Sequence, residues 1–143
     1  QGDIIDPRGV NLVLLPEVKK VFNRIKKADY EIAFTSRTVK PELTNDLVKL
    51  LDLQKYSSFN VFNNESKNKQ LAEVSTRTGV PLKQIIYFDT IEENVEEVKP
   101  LGACTFLIPD EGLTLDTFIV SMKNACLSFN LDLDSLGITW GNK

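Results

Sequence analysis

Apolar positions along the chain follow two spacings, one typical of helices and one typical of buried strands. Apolar residues three or four positions apart predict helices over residues 17–28, from Pro41 onward, and over residues 66–76, 91–98 and 114–126. Short continuous apolar runs predict strands between them, at residues 30–35, 59–62, 84–88 and 103–108. Strands and helices are therefore expected to alternate along the chain.

Strand–helix alternation with short connections is typical of a parallel β-sheet with helices on both faces. The predicted fold class is α/β, a doubly wound parallel sheet of the Rossmann type. We expect one domain over residues 1–126 and a C-terminal tail over residues 127–143. Ligands of such open sheets bind at the carboxyl ends of the strands. The candidate site residues are those that directly follow the strands, near Ser36, Asn63 and Asp89.

Composition and charge argue against some classes of function. The chain has 143 residues, of which 42% are hydrophobic and 26% charged, as expected of a soluble domain with a core. Its net charge of −3 argues against a nucleic-acid binder, which usually has a basic excess. No apolar run approaches the roughly 20 residues of a transmembrane helix, so no membrane-spanning segment is predicted.

The sequence contains no histidine, and this restricts the available chemistry. Ser–His and Cys–His catalysis and histidine-ligated metals are excluded. Catalysis would have to use carboxylates, hydroxyls, lysine and arginine, together with a divalent ion bound by oxygen ligands. The two cysteines, Cys104 and Cys126, are expected to be buried inert thiols, with a disulfide as the alternative.

Two polar segments that follow strands could bind a ligand. Ser36 and Arg37 lie between a predicted strand and the next helix, where hydroxyl and backbone N–H groups can hold a phosphate. The structural alternative is a polar loop that leads into the helix. Lys67 follows the strand at residues 59–62, and it could either contact a ligand or be a solvated surface lysine.

Asp89 ends the most apolar of the predicted strands. Its carboxylate could bind a cation or a substrate, or it could cap the following helix. Thr90 and Glu93 have the T-x-x-E spacing of a capping box, which gives the helix its own cap. This spacing predicts that Asp89 is free for another role.

Taken in order, these segments resemble the later motifs of the haloacid dehalogenase superfamily, and more closely its magnesium-dependent phosphatase family. The family pattern looks like "LYPEV…ASRT…SK…TGVP…FFDDE..N…LGVT". With similar gaps, this chain has LLPEV (14–18), TSRT (35–38), SK (66–67), TRTGVP (76–81), YFDTIEEN (87–94) and LGACT (101–105). The resemblance extends over about residues 6–120.

The resemblance implies a role for each candidate residue. Ser36 would bind the transferring phosphate, with Arg37 beside it. Lys67 would be the catalytic lysine that stabilises the nucleophile and the phosphate. Asp89 would be a ligand of Mg²⁺, which is the implied cofactor of an active enzyme; an inactive chain would need none. Such cations offset the charge that phosphoryl transfer concentrates.

The chain departs from the family pattern in two ways. The family's D-x-D-x-T strand, which carries the aspartate nucleophile and the acid, should lie upstream of Asp6, and this chain begins at Gln1. The paired aspartates of the family are here Asp89-Thr90. Without a nucleophilic aspartate no phosphoaspartyl intermediate can form, and a lone Asp89 is expected to hold Mg²⁺ weakly.

The family's D-x-D-x-T strand lies at the centre of the sheet, between the strands predicted at residues 30–35 and 84–88. That slot could be filled by a segment outside this sequence, by a strand from a partner chain, or by the tail. The tail contains Asp132-Leu133-Asp134, so Asp132 is a candidate nucleophile in a permuted arrangement. The alternative is an acidic tail without a catalytic role.

The sequence leaves two functional hypotheses. The first is a degenerate, catalytically inactive phosphatase-like domain that serves as a structural or interaction subunit, with protein partners in a larger assembly. The second is an active Mg²⁺-dependent phosphomonoesterase or protein phosphatase whose nucleophile lies upstream or at Asp132. Neither substrate nor cellular compartment can be named from the sequence.

Overall fold

The computed structural model describes residues 3–5, 11–13, 16–109 and 112–125. The strands are β1 Asp3–Ile5, β2 Asn11–Val13, β3 Ala33–Arg37, β4 Phe59–Asn63, β5 Ile86–Asp89 and β6 Cys104–Leu107. The α-helices are α1 Pro16–Lys27, α2 Pro41–Leu50, α3 Lys67–Thr78, α4 Glu92–Val98 and α5 Leu115–Ala125. Asp132 and the predicted domain boundary at residue 126 lie outside the described residues.

The described strands form three ladders of two strands each. Strands β1 and β2 pair as an antiparallel hairpin, which the apolar pattern did not predict because each strand has only three residues. Strands β3 and β4 are parallel, and so are β5 and β6. Since a helix connects the two strands of each parallel pair, the predicted α/β class is confirmed.

Alternate side chains of β5 pack into two different hydrophobic clusters. Ile86 and Phe88 contact the cluster formed by α1 and α5. Tyr87, between them, belongs to a second cluster with residues of α3 and α4. Successive side chains of a strand point to opposite faces, so β5 has helices on both of its faces.

The cluster between α1 and α5 is centred on two fully buried side chains, Val21 and Phe118. Met122 completes it one turn further along α5, as the apolar spacing of this helix predicts. Truncation of a fully buried phenylalanine to alanine typically costs about 3–5 kcal/mol of folding free energy. This packing fixes the face of β5 that carries Ile86 and Phe88.

Helix α3 begins where its sequence provides a cap. Ser66 has extended backbone dihedrals, and its side chain accepts a hydrogen bond from the Lys69 backbone N–H at 3.4 Å. Gly79 ends the helix with φ of 75°, a left-handed conformation that glycine adopts without steric cost. The cap makes Lys67 the first residue of the helix, next to the end of β4.

Helix α2 differs from the other long helices because none of its residues is buried. Its leucines Leu43 and Leu50 are both exposed. Within the described part of the chain, none of the helices has the length and apolar character needed to cross a membrane.

Candidate functional site

A cleft of about 180 Å³ lies at the carboxyl ends of β3 and β5. Its lining is mostly polar and comes from β3, α3, β5 and the start of α4. The lining residues are Thr35, Ser36, Arg37, Lys67, Phe88, Asp89, Thr90, Ile91 and Asn94. The structure thus brings Ser36, Arg37, Lys67 and Asp89 together, although their catalytic and binding roles remain predictions.

Ser36 and Arg37 lie within β3 rather than after it. They occupy its last two positions, where Ser36 pairs with Phe62 and Arg37 with Asn63 of β4. Backbone hydrogen bonds between β3 and β4 continue beyond the apolar residues of β3. The Thr38 N–H, for example, donates to the Asn63 carbonyl at 2.7 Å. The prediction that Ser36 and Arg37 follow the strand, in a polar segment before the helix, is therefore wrong, and their role in phosphate binding stays a prediction.

Lys67 is a buried lysine with only 6% of its surface exposed. Its Nζ donates a hydrogen bond to Thr35 Oγ1 at 3.2 Å, which joins the start of α3 to β3. Lys69, two residues later, has 74% of its side chain exposed and pairs with Glu65. The solvated surface lysine that the sequence allowed is thus Lys69 and not Lys67.

Gln70 is a site residue that sequence reasoning missed. It is fully buried one helical turn after Lys67. Its amide Nε2 lies 2.9 Å from the Ser36 carbonyl and 3.2 Å from the Asn63 carbonyl, and it also contacts Asn63 Oδ1 at 3.0 Å. Gln70 therefore holds the ends of β3 and β4 against α3. One signal in the sequence could have identified Gln70: its amide lies on the same face of α3 as the apolar residues Leu71 and Val74.

Asp89 is the last residue of β5, and both of its carboxylate oxygens accept hydrogen bonds. Oδ1 accepts from the Ile91 backbone N–H at 3.0 Å. Oδ2 accepts from Asn94 Nδ2 at 3.0 Å and from the Tyr87 hydroxyl. The sequence predicted that Asp89 is free for another role because Thr90 and Glu93 would cap the helix, but Asp89 itself binds the Ile91 N–H at the start of α4. Its role as a metal ligand stays a prediction.

The predicted capping box at the start of α4 is not formed. The N-cap position is Ile91, which makes no side-chain cap, and the helix starts at Glu92. The Ile91 N–H is instead bound by Asp89, two residues earlier. Thr90 contributes a neutral side chain to the cleft lining.

Electrostatics favour an anion in the cleft. Among its lining residues, Arg37 and Lys67 are cationic and Asp89 is the one carboxylate, which leaves one net positive charge. The pKa of Tyr87 is raised well above its ordinary range, first by burial and then by the hydrogen bond to Asp89. Tyr87 therefore remains protonated and continues to donate to Asp89 at neutral pH.

The described residues contain no cluster of three or more cysteine, aspartate or glutamate side chains that could hold a metal ion. Asp89 alone offers carboxylate oxygens in the cleft. Magnesium sites often use only one or two protein carboxylates, because phosphate oxygens and water complete the coordination. Asp89 therefore fits a magnesium ion that is bound together with a phosphate, and a tight site made of protein ligands alone is not present in the described residues.

The sequence is similar to known phosphatases. The sequence model of the acid phosphatase family matches residues 1–126. Human "Magnesium-dependent phosphatase 1" is 33% identical over 116 residues, which are 81% of this chain. The chain spans 65% of the length of that relative. The match confirms the resemblance drawn from the motifs, and the chain belongs to the magnesium-dependent phosphatase family of the haloacid dehalogenase superfamily.

Proposed function

We propose that this domain binds phosphate groups in the cleft between β3 and β5, and that it does not hydrolyse them with its described residues alone. The observation that supports the proposal is the common location of Ser36, Arg37, Lys67 and Asp89 around one cleft. The resemblance of the sequence motifs to the family implies that these positions contact phosphate and magnesium. Only one of the lining residues is acidic, and this favours binding of an anion over attack on it.

Three side chains on the β3 side of the cleft would contact the phosphate. The Ser36 hydroxyl and the Arg37 guanidinium donate hydrogen bonds, and a guanidinium can engage two phosphate oxygens at once. The Lys67 ammonium group is largely removed from water, so its attraction to an anion is screened less than that of a surface lysine. Hydrogen bonds to charged groups contribute about 1.5–3 kcal/mol each.

On the β5 side, Asp89 would hold Mg²⁺ together with the phosphate oxygens. When bound, the ion would supply positive charge that offsets the negative charge of the phosphate. Thr90 adds no charge at this side of the cleft, so the carboxylate of Asp89 acts there alone.

Hydrolysis through a phosphoaspartyl enzyme needs a second carboxylate, one that attacks phosphorus. Asp89 is unsuited to this, because its two oxygens accept hydrogen bonds from Tyr87, Ile91 and Asn94. We therefore propose that the domain acts as a structural or interaction subunit that keeps the phosphate-binding part of a phosphatase site.

The strand arrangement supports an interaction role. Among the described residues, β3 pairs only with β4 and β5 only with β6, yet the carboxyl ends of β3 and β5 border the same cleft. We infer a doubly wound sheet with the order β4-β3-x-β5-β6, in which x is a strand that lies outside the described residues. A partner chain, the tail or an upstream segment could supply it through backbone hydrogen bonds.

Equilibrium binding of inorganic phosphate to the purified chain tests the proposal, with Lys67→Met and Lys69→Met as matched variants. Both remove one positive charge from the first turn of α3, but only Lys67 lines the cleft. We expect Lys67→Met to weaken phosphate binding roughly 10- to 100-fold, because a hydrogen bond from a charged donor is lost. Lys69→Met should bind as the parent chain does, and equal weakening in both variants would refute a phosphate site in the cleft.

The second candidate function is an active magnesium-dependent phosphatase. It is favoured because Ser36, Lys67 and Asp89 all line one cleft. Its nucleophile would be an upstream aspartate or Asp132. Purified chain should be assayed with a generic phosphomonoester and Mg²⁺. Turnover that Asp89→Asn abolishes would establish the enzyme and refute the inactive domain, and turnover that Asp132→Asn also abolishes would identify the nucleophile. No turnover, together with phosphate binding, supports the interaction subunit.

A further inference from the structure

A groove of about 380 Å³ lies between β6 and α5. Phe106 and Leu107 line it from the strand. Its other lining residues belong to α5 and extend from Asp116 in the first turn to Asn124 in the last. Most of the lining surface is apolar, and Leu107 and Val120 are 52% and 58% exposed. None of these residues lines the cleft between β3 and β5, so the groove is a separate surface of the domain.

The outer edge of β6 carries backbone groups that β5 does not bind. Among the described residues, β6 pairs with β5 alone. The N–H groups of Cys104 and Ile108 donate to carbonyls within residues 85–89, each at 2.9 Å. Successive residues of a strand direct their backbone N–H and carbonyl groups to opposite sides. The backbone groups of Thr105 and Leu107 therefore point away from β5, where a further strand could pair with them.

The sequence that follows α5 has the spacing of a strand with one apolar side. Apolar and polar residues alternate strictly over residues 127–134, LSFNLDLD, which lie outside the described part of the structure. Such alternation predicts a strand with one buried and one solvent-facing side. At about 3.3 Å per residue the segment would span roughly 26 Å, whereas the groove extends roughly 12 Å along α5 from Asp116 to Asn124. The segment is long enough to cover the groove from end to end.

We propose that residues 127–134 form a strand beside β6 and cover the groove with their apolar side. The segment begins three residues after Asn124, which itself lines the groove, so it starts where it is needed. Thr105 and Leu107 provide the backbone partners. A strand that follows α5 and runs parallel to β6 would repeat the arrangement of β5, α4 and β6. The inference does not rest on the proposed function, because the groove and the cleft share no lining residue.

The consequence concerns the tail and the inferred strand x. A tail at the outer edge of β6 does not occupy the position between β3 and β5, so strand x would come from an upstream segment or from a partner chain. Asp132 is one of the polar residues of the alternating segment. It would face solvent outside the cleft and could not act as a nucleophile there.

Hydrogen exchange of the full chain, followed by NMR at single amides, tests the inference. In the parent chain the amides of Thr105 and Leu107 should exchange within about tenfold of the rate of Cys104, whose N–H bonds toward β5. Leu131→Asp adds a charge to the apolar side of the segment and should speed exchange of Thr105 and Leu107 by about tenfold or more. Asn130→Asp adds the same charge to the polar side and should change it by less than about twofold. Rapid exchange of both amides in the parent chain, or equal responses to the two variants, would overturn the inference.

Disulfide cross-linking identifies what covers the groove even if Leu131→Asp folds poorly. In a chain whose native cysteines are changed to serine, Val120→Cys is combined in turn with Phe129→Cys, Leu131→Cys and Leu133→Cys. At least one pair should form a disulfide within a single chain, because a strand beside β6 would bring its apolar side to α5. A disulfide between two chains would assign the groove to a second copy, and one with Ser36→Cys would place the tail beside β3. Either result, or no disulfide in any pair, would overturn the inference.

Discussion

The two sides of the cleft are built from different kinds of contact. On the β3 side, Lys67 and Gln70 of α3 reach residues 32 and 34 positions away in the sequence, Thr35 and Ser36. On the β5 side, all three donors to Asp89 lie within five residues of it. The β3 side, where phosphate is proposed to bind (the phosphate side), therefore depends on the packing of α3 against β3 and β4. The β5 side, where Mg²⁺ is proposed to bind (the metal side), is organised by one strand and the turn after it.

This difference predicts which substitutions should impair ligand binding on each side of the cleft. A change that loosens α3 should impair the phosphate side and leave Asp89 in place. A change near Asp89 should alter metal affinity and leave Ser36 and Lys67 in place. The three predictions that follow challenge this separation, beginning with the largest expected effect.

Gln70→Leu should reduce the free energy of unfolding by about 2 kcal/mol, because the partly buried Ser36 and Asn63 carbonyls lose their amide donor. Urea denaturation measures the loss. Phosphate binding should weaken as well, since Gln70 holds the end of β3 that carries Ser36 and Arg37. Magnesium binding through Asp89 should stay within about twofold of the parent chain, as its contacts are local.

Gln84→Leu is the matched control for this substitution. Gln84 is exposed, and an exposed substitution away from the site should change stability by less than about 0.5 kcal/mol. If Gln70→Leu had the same small effect and kept full phosphate affinity, the β3 side would not depend on Gln70. If it reduced magnesium affinity as strongly as phosphate affinity, the two sides would not be separate.

Thr90→Asp should tighten Mg²⁺ binding about tenfold, because it adds a second carboxylate to the metal side of the cleft. It should weaken metal-free phosphate binding by a smaller factor through added negative charge. Calorimetric titration with each ligand separately measures both effects.

Thr76→Asp, at an exposed position of α3, adds the same charge away from the cleft. It should change neither affinity by more than about twofold, because exposed charges are screened by salt and water. Equal responses in the Thr90 and Thr76 variants would mean that net charge, not a carboxylate at the metal side, determines metal affinity.

The sequence could predict where the site lies, because the strand-end rule depends only on recognising strands. Apolar runs identified β3, β4 and β5, and the polar residues at the carboxyl ends of β3 and β5 line one cleft. Asn63, at the end of β4, is not among the lining residues. The predicted ends of the strands were less accurate. Ser36, Arg37 and Asp89 are the final residues of their strands, since strands end where backbone pairing ends and not where apolar residues do.

The contacts that hold the site could be predicted only in part. Gln70 looks like an ordinary helix residue, and its partners become visible only when α3 lies against β3 and β4. The Tyr87–Asp89 contact was open to prediction, because residues two apart on a strand share a face. It was missed because the T-x-x-E spacing at Thr90 and Glu93 suggested that the helix had its own cap.

The smallest expected effect concerns Cys104, a half-buried free thiol on β6 that pairs with Ile86 of β5. Burial raises the pKa of the Cys104 thiol, so less of the reactive thiolate is present in the folded chain than in the unfolded chain at the same pH. In a Cys126→Ser background, a thiol reagent should label folded Cys104 several-fold more slowly than urea-unfolded chain near pH 8. The folded rate should keep rising with pH after the unfolded rate has levelled off.

The same linkage gives the sign of a stability change. Because the unfolded chain releases the thiol proton at lower pH than the folded chain, the free energy of unfolding should fall as pH rises through the alkaline range. Labelling of Cys104 also tests the separation of the two sides directly. Gln70→Leu disturbs α3 and β3, so it should leave the folded labelling rate of Cys104 within about twofold of the parent. A larger increase would mean that loosening the phosphate side also opens the β5–β6 ladder, and the two sides would then form one cooperative unit.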